Sequence, residues 1–246
     1  MADAFASEAA KSLESEGKVV YLTFDDGPGE YTEQLLEILD RYGVRATFFV
    51  TGAHPMYKDM IAKEAAAGHT VGVHTFTHDF ARVYASTDAF WKDISEIEEV
   101  VIRQTGQATR LMRFAGGSSN TISANYAYGI MSALAEDLEA MGYVYFDWNV
   151  SSGDAGETTE TSTVYYNVTR EIAENGPGVA NVVLQHDIKG FSVYAVERII
   201  IWGLNNGYQF LPLEESSSVV AEDDEGASVA DDEGVPSRAQ SPSIHT

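Results

Sequence analysis

Two kinds of apolar pattern alternate between residues 18 and 213. Short runs rich in β-branched and aromatic residues read as strands: 18–24 (KVVYLTF), 45–50 (RATFFV), 69–74 (HTVGVH), 110–114 (RLMRF), 143–150 (YVYFDWNV), 181–186 (NVVLQH) and 208–213 (YQFLPL). Between them lie segments 31–43, 56–68, 87–106, 127–142, 162–176 and 191–207. Most of these carry apolar residues at three- and four-residue spacing and close on a glycine, which are helix signals. Strand–helix alternation at this rhythm predicts a parallel α/β sheet, and the pattern leaves open whether that sheet closes into a barrel.

The flanks lack such a pattern. Residues 214–246 are Ser-rich, contain no aromatic residue and hold nine acids against one base, Arg238. Such a stretch buries too little apolar surface to offset ordering entropy, so it reads as an acidic disordered tail. The predicted organisation is an N-terminal segment 1–17, a domain 18–213 and the tail 214–246. Of the net charge of −23 the tail carries −8, and the remaining 213 residues carry −15. That field repels a phosphate backbone, which argues against a nucleic-acid partner. No run of about 18 apolar residues is present, so no membrane span is expected. The polar, acidic N-terminus lacks the basic and apolar regions of a signal peptide. With no cysteine in the chain, any metal must be held by His and carboxylates.

In parallel α/β folds, active sites lie at the carboxyl ends of the strands. The first strand is followed by Asp25-Asp26-Gly27-Pro28, two adjacent carboxylates that repel unless something positive neutralises them. Adjacent strand residues point oppositely, so one carboxylate could bind a metal while the other faces solvent or substrate. The bland alternative is a solvated turn. The third strand ends in His74-Thr75-Phe76-Thr77-His78; if the chain turns helical there, i, i+4 spacing puts both imidazoles on one face. Two His and one Asp would leave open positions on a metal, as a catalytic site requires. His54, His69 and His245 read as ordinary surface histidines. The fourth strand ends in Arg113 before Ala115-Gly116-Gly117, an Arg that could orient an Asp and glycines that leave backbone N–H groups approachable. The sixth places His186 on the same rim, either as a further ligand or as a general acid.

Together these strings resemble the polysaccharide deacetylases of carbohydrate esterase family 4, the NodB homology domain. Five motifs in family order cover roughly residues 19 to 187, and TFDDGP and HTFTH match without strain. The resemblance implies a distorted, incompletely closed (β/α) barrel of about seven parallel strands. It implies one divalent metal ion held by Asp26, His74 and His78, most often zinc, with cobalt, nickel or manganese as alternatives. Asp25 would be the base that deprotonates the metal-bound water, tethered by Arg113. A backbone N–H at Gly116 would stabilise the oxyanion, His186 would protonate the leaving group, and Leu184 would line the groove for the acetyl methyl.

The sequence departs from the family pattern in the third and fourth motifs. Ala115 stands where proline is usual, and Gly116 where an aromatic often sits. For the carboxylate that orients His186, the literal Asp147-Trp148 pair competes with Asp154, which fits by spacing but is followed by Ala155 where the family has tryptophan. Asp154 is favoured, with Trp148 the aromatic candidate for the substrate groove. The expected activity is removal of acetyl groups from an N-acetylated glycan, peptidoglycan N-acetylglucosamine first and chitin oligomers next. That substrate would put the enzyme at the cell surface or outside the cell. An acetylxylan esterase of the same family, or a carbohydrate-binding protein that has lost turnover, are the alternatives.

Overall fold

The computed structural model describes residues 18–217 except Pro177 and Ser216; the segment 1–17 and the acidic stretch from 218 onward lie outside the described residues. Eight strands alternate with helices: β1 Val19–Asp25, β2 Thr47–Thr51, β3 Thr70–Thr75, β4 Leu111–Met112, β5 Val144–Tyr145, β6 Val150–Ser151, β7 Asn181–His186 and β8 Gln209–Phe210. The helices are α1 Thr32–Arg41, α2 Met60–Ala66, α3 Phe80–Val83, α4 Thr87–Thr105, α5 Ile130–Met141, α6 Thr161–Glu174 and α7 Gly190–Asn205, with a 3₁₀ turn at Ile122–Asn125. Every strand pairing is parallel, in the order β5-β4-β3-β2-β1-β7-β6, with β8 alongside the start of β1.

The two ends of this sheet, β5 and β6, are successive in the chain. The barrel is therefore incompletely closed, with its seam crossed by residues 146–149. This corrects the single strand predicted over 143–150. Val144 and Tyr145 pair with β4, and Val150 and Ser151 pair with β7 on the opposite edge. The Phe146 N–H still reaches the Met112 carbonyl and the Asn149 N–H the Val182 carbonyl, so the chain changes edges at Asp147 and Trp148. The apolar run is real, but it serves two edges. The short helix α3 and the 3₁₀ turn have too few residues to show a periodicity and were not foreseen.

Parity along the strands separates two cores. On β1, Val20, Leu22 and Phe24 face the helices together with Phe48, Val50 and Val73, whereas Val19 and Tyr21 face the barrel interior with Phe49, Leu111, Phe146, Val182 and Leu213. All seven β1 residues are buried, as a parallel strand covered on both faces requires. Gly72 is needed on the inner face of β3, where a Cβ would lie 2.8 Å from the Phe49 ring. Going up the inner face, apolar residues give way to Thr23, Arg113, Asp25, His74 and His186. The inward register therefore delivers polar residues to one end of the barrel.

His69 is a buried core residue rather than a surface one. Its Nδ1 accepts the Ala46 N–H at 3.2 Å, and its ring packs edge-on against Phe48. Burial, aided by Arg45, brings its pKa down to about 4. The unfolded chain then binds the extra proton between about pH 6.5 and 4, so stability falls as pH drops through that window. Urea denaturation at pH 7 and pH 5 checks this: the stability difference should shrink in His69→Asn, which retains an acceptor for Ala46 without the titrating ring.

Candidate active site

The first motif begins where β1 stops. Asp25 is the last strand residue, and Asp26 takes φ +71°, a left-handed conformation that is strained for a residue with a Cβ. The surroundings hold it there. Thr51 donates its hydroxyl to the Asp26 carbonyl at 2.7 Å and its N–H to the Gly27 carbonyl at 2.7 Å. Beneath the turn, Asp187 packs so closely on Gly27 that an added Cβ would lie 2.1 Å from its carboxylate, and Thr32 donates its hydroxyl to that carboxylate. Both aspartates therefore reach the same rim, rather than pointing to opposite faces as strand alternation alone would have it.

His74 lies on the inner face one residue before the end of β3, and the chain then turns instead of continuing as a helix. His78 sits at φ +51°, and the two imidazole centroids are 5.3 Å apart. The expected helical spacing is thus replaced by a turn with its own anchor. Asp93, buried on α4, accepts the N–H groups of Phe76 and Thr77 at 2.5 and 3.3 Å and the Thr77 hydroxyl at 2.6 Å. Thr75 Oγ1 accepts the His78 N–H at 3.1 Å.

Asp26, His74 and His78 converge. The Nε2 atoms of His74 and His78 lie 3.5 and 3.1 Å from Asp26 Oδ1, and one ligand atom from each of the three falls within 4.8 Å of the others. Asp26 Oδ1 is buried without a hydrogen-bond partner. His74 Nδ1 donates to the Arg113 carbonyl at 2.8 Å, which leaves the Nε2 lone pair free to point at Asp26. An orphaned carboxylate oxygen and two imidazoles aimed at one spot fit a divalent cation. Burial alone would raise the Asp26 pKa, but His78, His186, His74 and Lys189 outweigh it and bring it to about 2; burial lowers the pKa of His74. Both groups are thus in the protonation state a metal ligand needs.

Arg113 is fully buried and has partners for each nitrogen. Nη1 donates to Asp25 Oδ1 at 2.8 Å and to Thr23 Oγ1 at 2.6 Å, Nε to the Phe146 carbonyl at 2.8 Å and Nη2 to the Asp147 carbonyl at 3.1 Å. Across the rim, His186 Nδ1 is 2.7 Å from Asp154 Oδ1, and its backbone N–H donates to Asp154 Oδ2 at 2.8 Å. Burial would lower the His186 pKa, but Asp154 raises it to about 9. His186 Nε2 lies 3.8 Å from Asp26 Oδ2, on the carboxylate oxygen away from the His74–His78 pair.

Asp147 is engaged elsewhere. It accepts the N–H of Ser118 at 3.0 Å and also its hydroxyl, which shapes the Gly116-Gly117 loop, where both glycines have positive φ. Gly117 N–H donates to Phe114 O within that turn; Gly116 is exposed on the rim, and its N–H has no acceptor among the described residues. The Trp148 ring lies against Gly117 and 5.6 Å from the Arg113 guanidinium carbon. Leu184 shares the inner face of β7 with His186.

Asp93, Asp187, Thr32 and Thr51 were not singled out in the sequence. For Asp93 a signal existed, since an acid three residues after Phe90 and four before Ile97 falls on the apolar face of α4.

Known proteins resemble this chain in sequence and fold. Residues 12–130 match the family model described as polysaccharide deacetylase. A peptidoglycan-N-acetylglucosamine deacetylase of Bacillus cereus is 32% identical over 204 residues, covering 82% of this chain and 71% of that protein. The chain belongs to the polysaccharide deacetylase family. Its relatives there include a chitin deacetylase of Colletotrichum lindemuthianum, 31% identical over 80% of this chain and 78% of that one. Among solved structures, the catalytic domain of a peptidoglycan N-acetylglucosamine deacetylase from Eubacterium rectale superposes with a TM-score of 0.81 at 50% identity, covering 83% of this chain and 92% of that one. A polysaccharide deacetylase from Bacillus cereus gives 0.70 at 32% identity over 82% and 96%. As a polysaccharide deacetylase the protein is a hydrolase acting on acetylated sugars.

The turn that carries His78 depends on Asp93, whose removal strands two amide donors and a hydroxyl. Asp93→Ala should lower zinc affinity about 10- to 100-fold by calorimetry, the range typical of lost outer-shell support. Unchanged affinity in a folded variant would show that the turn holds without it.

Proposed function

We propose that this protein removes N-acetyl groups from an N-acetylated glycan, with peptidoglycan N-acetylglucosamine as the first substrate and chitin oligomers as the second. The observation that carries the reading is the division of one rim between a base held by Arg113 and an acid held by Asp154, on either side of the Asp26–His74–His78 cluster. Amide hydrolysis needs both, because an amine leaves only when protonated.

Asp26, His74 and His78 are the residues that would hold the divalent ion, zinc first. The chemistry an ion bound there would supply is polarisation of the acetyl carbonyl and a lowered pKa for the attacking water. The rest of the chemistry falls to side chains of the chain itself. Arg113 occupies Asp25 Oδ1, leaving Oδ2 to accept the proton of the attacking water. The free Gly116 N–H faces the developing oxyanion, a contact that gains strength as charge appears. Asp154 raises the pKa of His186 and fixes the ring by its Nδ1 side, so that the imidazolium can donate its Nε2 proton to the departing nitrogen. Leu184 and Trp148 supply apolar surface beside these groups, and the latter stands in for the aromatic wall absent at Ala155. Among the described residues no helix is long and apolar enough to cross a membrane. A wall glycan as substrate places the reaction outside the cytoplasm.

Acetate release from chitooligosaccharides, from peptidoglycan glycan strands and from acetylated xylan tests the reading. Asp25→Asn should reduce turnover on the amide substrates at least about 100-fold at saturating metal, the contribution of a positioned base. Undiminished turnover would remove Asp25 from the base role. Release from xylan alone would transfer the protein to ester substrates.

A further inference from the structure

The general-acid side of the site has a weakness built into its topology. Asp154 lies just beyond β6, a two-residue strand at the edge of the sheet that pairs only with β7 and borders the open seam. Among the described residues no strand lies on its other side. Asn167 of α6 donates to the Ser152 carbonyl at 3.1 Å and the Ser152 N–H to the Leu184 carbonyl at 3.3 Å, which secures the start of the loop 152–155 but leaves the Asp154 carbonyl to the β7–α7 connection. Lys189 makes that fastening. Its Nζ donates to the Asp154 carbonyl at 2.7 Å, and its own N–H reaches the His186 carbonyl at 3.4 Å. Its carbonyl receives the N–H groups of Ser192 and Val193 at 3.0 and 3.1 Å, the first bonds of α7. The Ser192 hydroxyl accepts from Gln185 Nε2 at 3.0 Å and also reaches Asp154, and Asp154 N–H is held by Ser152 Oγ at 3.2 Å.

We propose that Lys189 is a positioning residue for the general acid, clamping the Asp154 loop to the start of α7 so that both carboxylate oxygens stay on His186. The ammonium is the group suited to this place. It sits on a long flexible stem, is partly exposed, and offers a charged donor to a single carbonyl. If the clamp is released, the edge loop can drift. The carboxylate then loses its two-point hold on the ring and backbone of His186, while Asp25, Arg113 and the Asp26–His74–His78 cluster, anchored on other strands, keep their contacts. Lys189 contacts neither substrate nor the reacting atoms in this scheme. This inference rests on the assignment of His186 as proton donor to the leaving amine.

The test compares substrates that differ in their need for an acid. An amide needs leaving-group protonation, whereas an activated aryl acetate expels a phenolate that does not. In the zinc-loaded enzyme, Lys189→Met should lower kcat on chitooligosaccharide about tenfold or more with KM nearly unchanged, and leave aryl acetate hydrolysis within about twofold. Lys189→Arg should recover most of the loss, because it can still reach the carbonyl. A readout independent of any substrate is the downfield proton resonance of the His186 Nδ1–H shared with Asp154, which should be present in the wild type and Lys189→Arg but shifted or broadened in Lys189→Met. Equal losses on both substrates, loss of zinc binding, or an unaltered resonance and glycan rate in Lys189→Met would overturn the proposal. Should the methionine variant not fold, the same ratio and resonance are read in Lys189→Gln. If the wild type releases acetate from no glycan, the substrate assignment fails, while the resonance still decides the positioning role.

Discussion

A guanidinium buried inside the barrel is the constraint on which the site depends. Arg113 cannot lose its charge, so every donor must find an acceptor or the fold is penalised. The four acceptors come from two places: the Asp25 carboxylate and the Thr23 hydroxyl on β1, and the carbonyls of Phe146 and Asp147 in the segment that crosses the seam. The barrel is open where β5 and β6 fail to meet, and the guanidinium supplies the hydrogen bonds that a ladder would otherwise provide. Its flat face lies 4.4 Å from the Phe49 ring centroid, so the apolar interior also has a favourable contact with the charge. The same residue fixes a histidine through its carbonyl and an aspartate through its side chain. Asp25 and His74 are thus both positioned by one residue.

Around that centre, backbone strain is confined to two non-glycine residues, Asp26 and His78, both of the candidate metal cluster. Each is held by side chains that make no direct contribution to the chemistry. Thr51 grips the carbonyls of the Asp26 turn, Asp187 fills the space that a side chain at Gly27 would need, and Asp93 collects the amides of the His78 turn. The left-handed residues bring ligands from two separate strands onto a common point that regular strand geometry would not reach. The side of the rim that holds His186 and Asp154 is built differently. Its carboxylate lies on an edge loop and depends on α7 and the β7–α7 turn for support.

How much of this was legible in the sequence depended on the kind of feature. Long elements with strong periods, such as β1, α4 and β7, fall within a residue or two of their expected positions, because a buried parallel strand and an amphipathic helix leave unmistakable patterns. The run 143–150 misled, since a strand that serves two edges and a strand that serves one have the same composition. His74 and His78 converge as the spacing suggested but by a turn, because four residues of separation fits either geometry. The choice of Asp154 over Asp147 followed from motif spacing and agrees with the contacts of the two side chains. Supporting residues such as Thr51 and Asp187 act through tertiary contacts and left no local trace. His69 was read as a surface residue because a single histidine carries no burial signal.

Arg113 couples the seam and Asp25 through one planar fork, while its backbone carbonyl holds the His74 ring. A lysine at this position keeps the charge but offers its donors from a single point and cannot reach four acceptors on opposite walls. The most direct measurement is kcat/KM for acetate release from chitooligosaccharide by Arg113→Lys at saturating zinc. A loss of about 100-fold or more is expected, the scale of a misplaced catalytic group. A folded Arg113→Lys enzyme within about threefold of the wild type would contradict it, because charge alone would then suffice and the fork would be incidental.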